Sequence, residues 1–279
     1  MQKPIIVIVE DFNDPIIPKI HKKKAMSSEK ASHVKIAGHT NETNFVALIG
    51  GKVIPGHTKP DAEKNGFKFS LKKECKRIQF ALYSRNSSYW NTSSPSSMLC
   101  KEILSIYPSS FAEYQQNKPH YKGLLREKMV NLKNHLSDLD NLKDYFRFII
   151  TNVDEVHYMV FQDGQNHYIF DAVQVIDIIA INARVENSKA LKVGDTPEQK
   201  VVIKTKNSQG KFRNLIELEI RNSGNNHYAE FLAVCNRDNL LNLLKAHIPE
   251  EKIFKDIVHF SEVLFVRGNA IANFETQVL

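Results

Sequence analysis

Thr58-Lys59-Pro60-Asp61-Ala62-Glu63-Lys64-Asn65-Gly66-Phe67-Lys68-Phe69-Ser70-Leu71-Lys72 is the stretch on which the reading of this chain turns. Asn65-Gly66 at its centre is a strong signal for a two-residue β-hairpin turn. A type I′ turn needs positive φ at both central positions, which Asn followed by Gly supplies at little cost. That turn sets the register: Lys64 opposite Phe67, Glu63 opposite Lys68, Ala62 opposite Phe69 and Asp61 opposite Ser70. Side chains alternate along a strand, so Phe67, Phe69 and Leu71 share one face with Ala62 and Pro60. The other face collects Asp61, Ser70 and Lys72, within cross-strand or diagonal reach of one another.

A carboxylate, a hydroxyl and an ammonium in that arrangement suit a metal-dependent phosphodiesterase. The carboxylate holds a hard cation such as Mg²⁺, which polarises phosphate and acidifies a bound water. The lysine can orient or deprotonate the attacking water and offset charge in the transition state. The plain reading of the same residues is a surface hairpin with scattered charges. The motif resembles the PD-(D/E)XK nuclease superfamily, with Pro60-Asp61 as the PD and Ser70-Leu71-Lys72 where (D/E)XK belongs. Residues 44–85 as a whole resemble the catalytic cores of type II restriction endonucleases. Ser70 departs from the pattern because it cannot act as a second carboxylate ligand, so the resemblance implies an acid from elsewhere.

Glu42 is the first candidate. Positions 42, 45, 46 and 49 follow i, i+3, i+4, i+7, one stripe of a short helix that Thr40 or Asn41 could cap and Gly50-Gly51 could end. Many of these nucleases carry a glutamate on their first helix; the alternative is a glutamate favoured there by the helix dipole. Glu74 is the second candidate, on the face of Ser70 and Lys72 if the strand runs that far.

The bulk composition agrees with a folded domain. At 279 residues, 42% hydrophobic and 25% charged, the chain can build a sizeable core. Cys75, Cys100 and Cys235 form no CxxC pair, which fits a reducing compartment. The apolar run Ile5–Val9 is too short for a signal peptide and reads as a strand. No run reaches the ~18 apolar residues of a membrane-spanning helix, so the expected location is the cytoplasm. A net charge of +7 suits a polyanionic partner. Part of that charge is a cluster from Lys19 to Lys35, read as an arm or loop able to touch phosphates.

Further along, residues 77–83 read as strand or helix. Residues 84–97 read as a polar loop whose Trp90 is an anchor or a DNA-contacting aromatic. A stripe from Leu124 to Ile149 predicts helices over much of 98–150, divided near Ser137-Asp138. Residues 157–161 and 167–170 read as a hairpin around Asp163-Gly164, and 173–183 as a strand or short helix. His157, His167 and His227 lack metal-ligand spacing. Residues 237–247 form an amphipathic helix, and 263–266 an edge strand.

Lys200–Lys206 and Arg213–Arg221 alternate as strands, with Arg213, Leu215, Glu217, Glu219 and Arg221 on one face of the second. Asn222, Asn225 and Asn226 follow in a turn. Arg reads guanine and Asn adenine in the major groove, so Lys204, Lys206, Arg213, Arg221, Asn222, Asn225 and Asn226 are the candidate DNA contacts. A solvated Asn/Gly turn explains the same residues.

The reading is thus an α/β protein, a restriction-endonuclease-like mixed sheet flanked by helices, in a single domain over 1–279. Residues 1–150 would carry the catalytic core and 151–279 the recognition and sheet-completing part. The resemblance implies a type II, Mg²⁺-dependent deoxyribonuclease that cuts double-stranded DNA at a short palindromic site as a homodimer. Asp61 and Glu42 would hold the metal, Lys72 would stand beside the attacking water, and Ser70 would position water or phosphate. Two alternatives stay open: a DNA-binding module of the same fold that does not cut, and a restriction DNA glycosylase leaving an abasic site.

Overall fold

The Asn65-Gly66 turn forms with φ of 51° and 80° at its two residues, and the strands it joins pair in the expected register. The structure, a computed structural model, describes residues 42–47, 49–56, 58–163, 166–189, 198–247 and 274–275. The Ile5–Val9 strand, the Lys19–Lys35 cluster and the 263–266 strand lie outside the described residues.

A helix over residues 42–47 (α1) precedes Lys52–Val53 (β1), Ala62–Lys64 (β2) and Phe67–Lys72 (β3). Gly51 sits where a side chain could not: a Cβ there would stand 2.6 Å from the carbonyl oxygen of Glu63. Arg77–Tyr83 is a strand (β4), followed by the helices Pro95–Leu104 (α2), Phe111–Gln116 (α3), Lys118–His135 (α4) and Leu139–Phe146 (α5). Asp138 caps α5 by accepting from the N–H groups of Asp140 and Asn141, so the helices divide at 137–138 as expected. A π-helical turn, Arg147–Thr151, leads to Tyr158–Asp163 (β5) and Asn166–Asp171 (β6). Asp171 then caps Ala172–Asn182 (α6), which resolves 173–183 as helix. Arg184–Asn187 (β7), Val201–Lys206 (β8), Phe212–Arg221 (β9), Glu230–Asn236 (β10), Arg237–His247 (α7) and Phe274–Glu275 (β11) complete the order.

The protein is mixed α/β, with two mostly antiparallel sheets flanked by helices. The first runs β1-β2-β3-β5-β6-β11 and the second β4-β10-β9-β8-β7. The first is mixed, because β3 and β5 pair in parallel, Phe69 with Tyr158 through Lys72 with Phe161. A parallel pair needs a long crossover, which here contains β4 and the four helices α2–α5.

Both faces of β3 are covered, since Phe69 and Ser70, on opposite sides of the strand, are both buried. Phe69, Ala62, Tyr158, Val160 and Ile169 pack under Phe45 of α1 and Ile49 beyond its end, the buried positions of the expected stripe. On the opposite side, Met159 and Phe161 belong to the larger core shared with α2, α4–α6 and the second sheet. The face of Asp61, Ser70 and Lys72 therefore looks toward the larger core, and Ser70 is 2% exposed. Hairpin alternation alone divides core from polar face; the parallel partner and its helices cover both. Trp90 is an anchor. It is buried against Phe148, Tyr83 and Phe231, and its Nε1–H donates to the Ser84 carbonyl at 2.7 Å. Among the described residues no helix is long and apolar enough to cross a membrane.

Candidate active site

Asp61 stands just before β2. Its N–H donates to the carbonyl of Phe69 at 2.7 Å, and its own carbonyl accepts from the N–H of Ile54 at 3.0 Å. The side chain is held as firmly: Oδ2 accepts the backbone N–H of Leu71 at 2.7 Å and the hydroxyl of Ser70 at 3.3 Å. Lys72 reaches back along the strand and donates to Ser70 Oγ at 2.7 Å. Ser70 thus bridges the ammonium and the carboxylate, and the three residues form one hydrogen-bonded chain across the hairpin. Burial lowers the Lys72 pKa below the usual lysine range, against the opposing pull of Asp61, Cys75 and Glu42.

Glu42 is half-buried on α1, and its charge is felt at Lys72 although α1 covers the opposite face of β3. Glu74 is exposed in the bend after β3, which ends at Lys72. No group of three or more His, Cys, Asp or Glu side chains is arranged to hold a metal among the described residues. The donors present fit Mg²⁺, which takes one or two carboxylates and fills its shell with water and phosphate oxygens. Asp61 offers Oδ1, which no described residue engages.

Lys59 is the residue that sequence reasoning missed. Its ammonium donates to the carbonyl of Ile149 at 2.6 Å and to the carbonyl of Phe80. It also lies 5.9 Å from the centre of the Tyr83 ring. Burial first, then the charge of Lys72, lower its pKa to about 7, with Asp61 opposing. No strand periodicity marks it, because Lys59 stands in a bend before β2.

The candidate DNA contacts do not converge. Lys204 is paired with Glu186 at 2.5 Å. Lys206 and Arg213 line a cleft between the β8–β9 turn and α7, with Asn239, Asn242 and His247. Arg213 does not share a face with Arg221, as alternation had implied. Ile203 pairs with Ile216 but Lys204 with Asn214, so Leu215 is an extra residue, a bulge that buries it and turns Arg213 to the side of Thr205 and α7. Asn222, at the far end of β9, accepts the N–H of Ala229 at 3.0 Å and closes its own loop; Asn225 and Asn226 lie in a 3₁₀ turn beside it.

The histidines have local roles. His157 Nδ1 accepts the N–H of Lys68 at 3.0 Å, His167 is buried beside Phe45, and His227 contacts Glu230 at 3.2 Å. No family model, no curated protein and no solved structure matches the chain.

Proposed function

We propose that this protein is a Mg²⁺-dependent endonuclease that hydrolyses phosphodiester bonds of double-stranded DNA at a short palindromic sequence. It acts as a homodimer, since a two-fold axis matches a palindrome. One observation carries the reading: Asp61, Ser70 and Lys72 form a continuous hydrogen-bonded chain across the hairpin that resembles a PD-(D/E)XK motif. Asp61 would hold the cation through Oδ1, with Glu42 as the second acid; the cation, when bound, supplies Lewis acidity at the phosphate. The bond from Leu71 N–H fixes the Asp61 carboxylate in advance, so no reorganisation is needed when DNA arrives. Lys72 orients the attacking water and offsets negative charge on the phosphate. Ser70 holds that ammonium in place.

The test is incubation of the purified protein with a sequenced phage DNA, with Mg²⁺ and with EDTA. Discrete fragments in Mg²⁺ alone are the expected result, and their ends give the recognition site. Intact DNA in both lanes rejects the reading. A serine at position 70 also suits a module that binds DNA without cutting; sequence-specific binding with DNA intact even after hot alkali would establish that one instead, whereas breaks that appear only after alkali would mark a glycosylase.

A further inference from the structure

Two backbone irregularities, far apart in sequence, meet at Lys59. The first is in β4. Its ladder with β10 pairs Ala81 with Ala233 and then Gln79 with Val234, which leaves Phe80 as the extra residue of a β-bulge. A bulged residue is left out of the ladder, and Phe80 and its neighbour Ala81 are both buried. The second is the π-helical turn Arg147–Thr151, a widened turn of a kind that clusters at functional sites. A buried carbonyl without a donor is costly. The carbonyls of Phe80 and Ile149 both accept from the Lys59 ammonium.

Lys59 stands two residues before Asp61, and between them Pro60 has no N–H to give. The Pro60 carbonyl is instead bonded by the Thr58 hydroxyl at 3.0 Å. Lys59 therefore ties the entry to the hairpin to the second sheet and to the end of the α5 segment, on the Asp61 side of the chain. We propose that Lys59 is a positioning residue for the nuclease reaction, holding the Asp61 carboxylate in its reactive place through a tether to the Phe80 and Ile149 carbonyls. This rests on the endonuclease reading above. Placement matters because a shift of about 1 Å in a reacting group costs roughly 100-fold in rate.

The experiment compares the unsubstituted protein with Lys59→Met and Lys59→Arg. Methionine keeps the length and removes the donors; arginine keeps donors that can reach a carbonyl. Three readouts are needed: single-turnover cleavage at saturating DNA, duplex affinity in EDTA, and amide hydrogen exchange at Leu71, whose N–H is held by the Asp61 side chain. For Lys59→Met we expect a single-turnover rate lower by roughly 100-fold and duplex affinity within about twofold, since the tether lies away from the DNA contacts proposed on β9. Leu71 exchange should speed up, with Phe69 in the same strand unchanged, and Lys59→Arg should recover part of the rate. Cleavage and Leu71 exchange both unchanged in a folded Lys59→Met protein would overturn the proposal. So would a uniform rise in exchange along β3, which would make Lys59 a general stabiliser. Absence of cleavage by the unsubstituted protein rejects the endonuclease reading; unchanged Leu71 exchange rejects the tether by itself.

Discussion

Arg213 and Arg221 stand at the two ends of β9 and on its opposite faces, because the Leu215 bulge reverses the alternation between them. Eight strand steps separate them, about 27 Å at roughly 3.4 Å per residue. If both touch DNA, they touch separate parts of it. Arg213→Ala and Arg221→Ala should therefore weaken duplex affinity additively, within about 0.5 kcal/mol. Fluorescence anisotropy on the single and double variants checks this; a coupling well above that value would mean the two side chains share one contact.

Removal of Asp61 or Lys72 should abolish cutting. Asp61→Ala and Lys72→Ala are each expected to lower the rate by at least roughly 100-fold while keeping sequence-specific binding in EDTA. Ser70→Ala should lower it less, because it frees the Lys72 ammonium without removing it. Substantial residual cleavage by either of the first two would remove them from the reaction.

Lys59 should make stability depend on pH. Its folded pKa, about 7, lies below the ordinary 10.5, so between those values the unfolded chain binds more protons. Its contribution to stability is most unfavourable below pH 7 and is relieved as pH rises toward 10.5. Urea unfolding at pH 7 and pH 9.5 should show the unsubstituted protein gaining on Lys59→Met, by on the order of 1 kcal/mol per pH unit. A difference that stays flat would show that Lys59 is not desolvated.

Trp90→Ala should be a stability mutant. It removes a ring packed on Phe148, Tyr83 and Phe231 and one of the two hydrogen bonds to the Ser84 carbonyl, the other coming from the N–H of Ser87. The expected cost is about 3–5 kcal/mol in chemical unfolding, with duplex affinity unchanged in the protein that remains folded. Loss of affinity without loss of stability would return Trp90 to the DNA surface.

Much of the secondary structure was legible wherever its cause is local. The 42–49 stripe places Phe45 and Ile49 in the core, Asp138 divides two helices, and residues 237–247 form α7. Two stretches stay ambiguous in sequence: in 77–83 the bulge at Phe80 breaks the alternation, and in 173–183 the exposed Val173 and Ile181 blur the helical stripe of Val175, Ile176, Ile179 and Ala180. The bulges at Phe80 and Leu215 were illegible because each depends on its partner strand. A sequence read one strand at a time carries alternation through them unbroken.

By itself the sequence determined the hairpin: Asn65-Gly66 dictates the turn, the turn dictates the register, and the register puts Asp61, Ser70 and Lys72 together. All of that follows from dihedral preference and period-two alternation over fifteen residues. Only the tertiary structure decided what surrounds the three residues. The parallel pairing of β3 with β5 arises from contacts about ninety residues apart, as does the Lys59 bond to Ile149. Such contacts form to bury apolar surface and satisfy buried carbonyls, and no local preference encodes them.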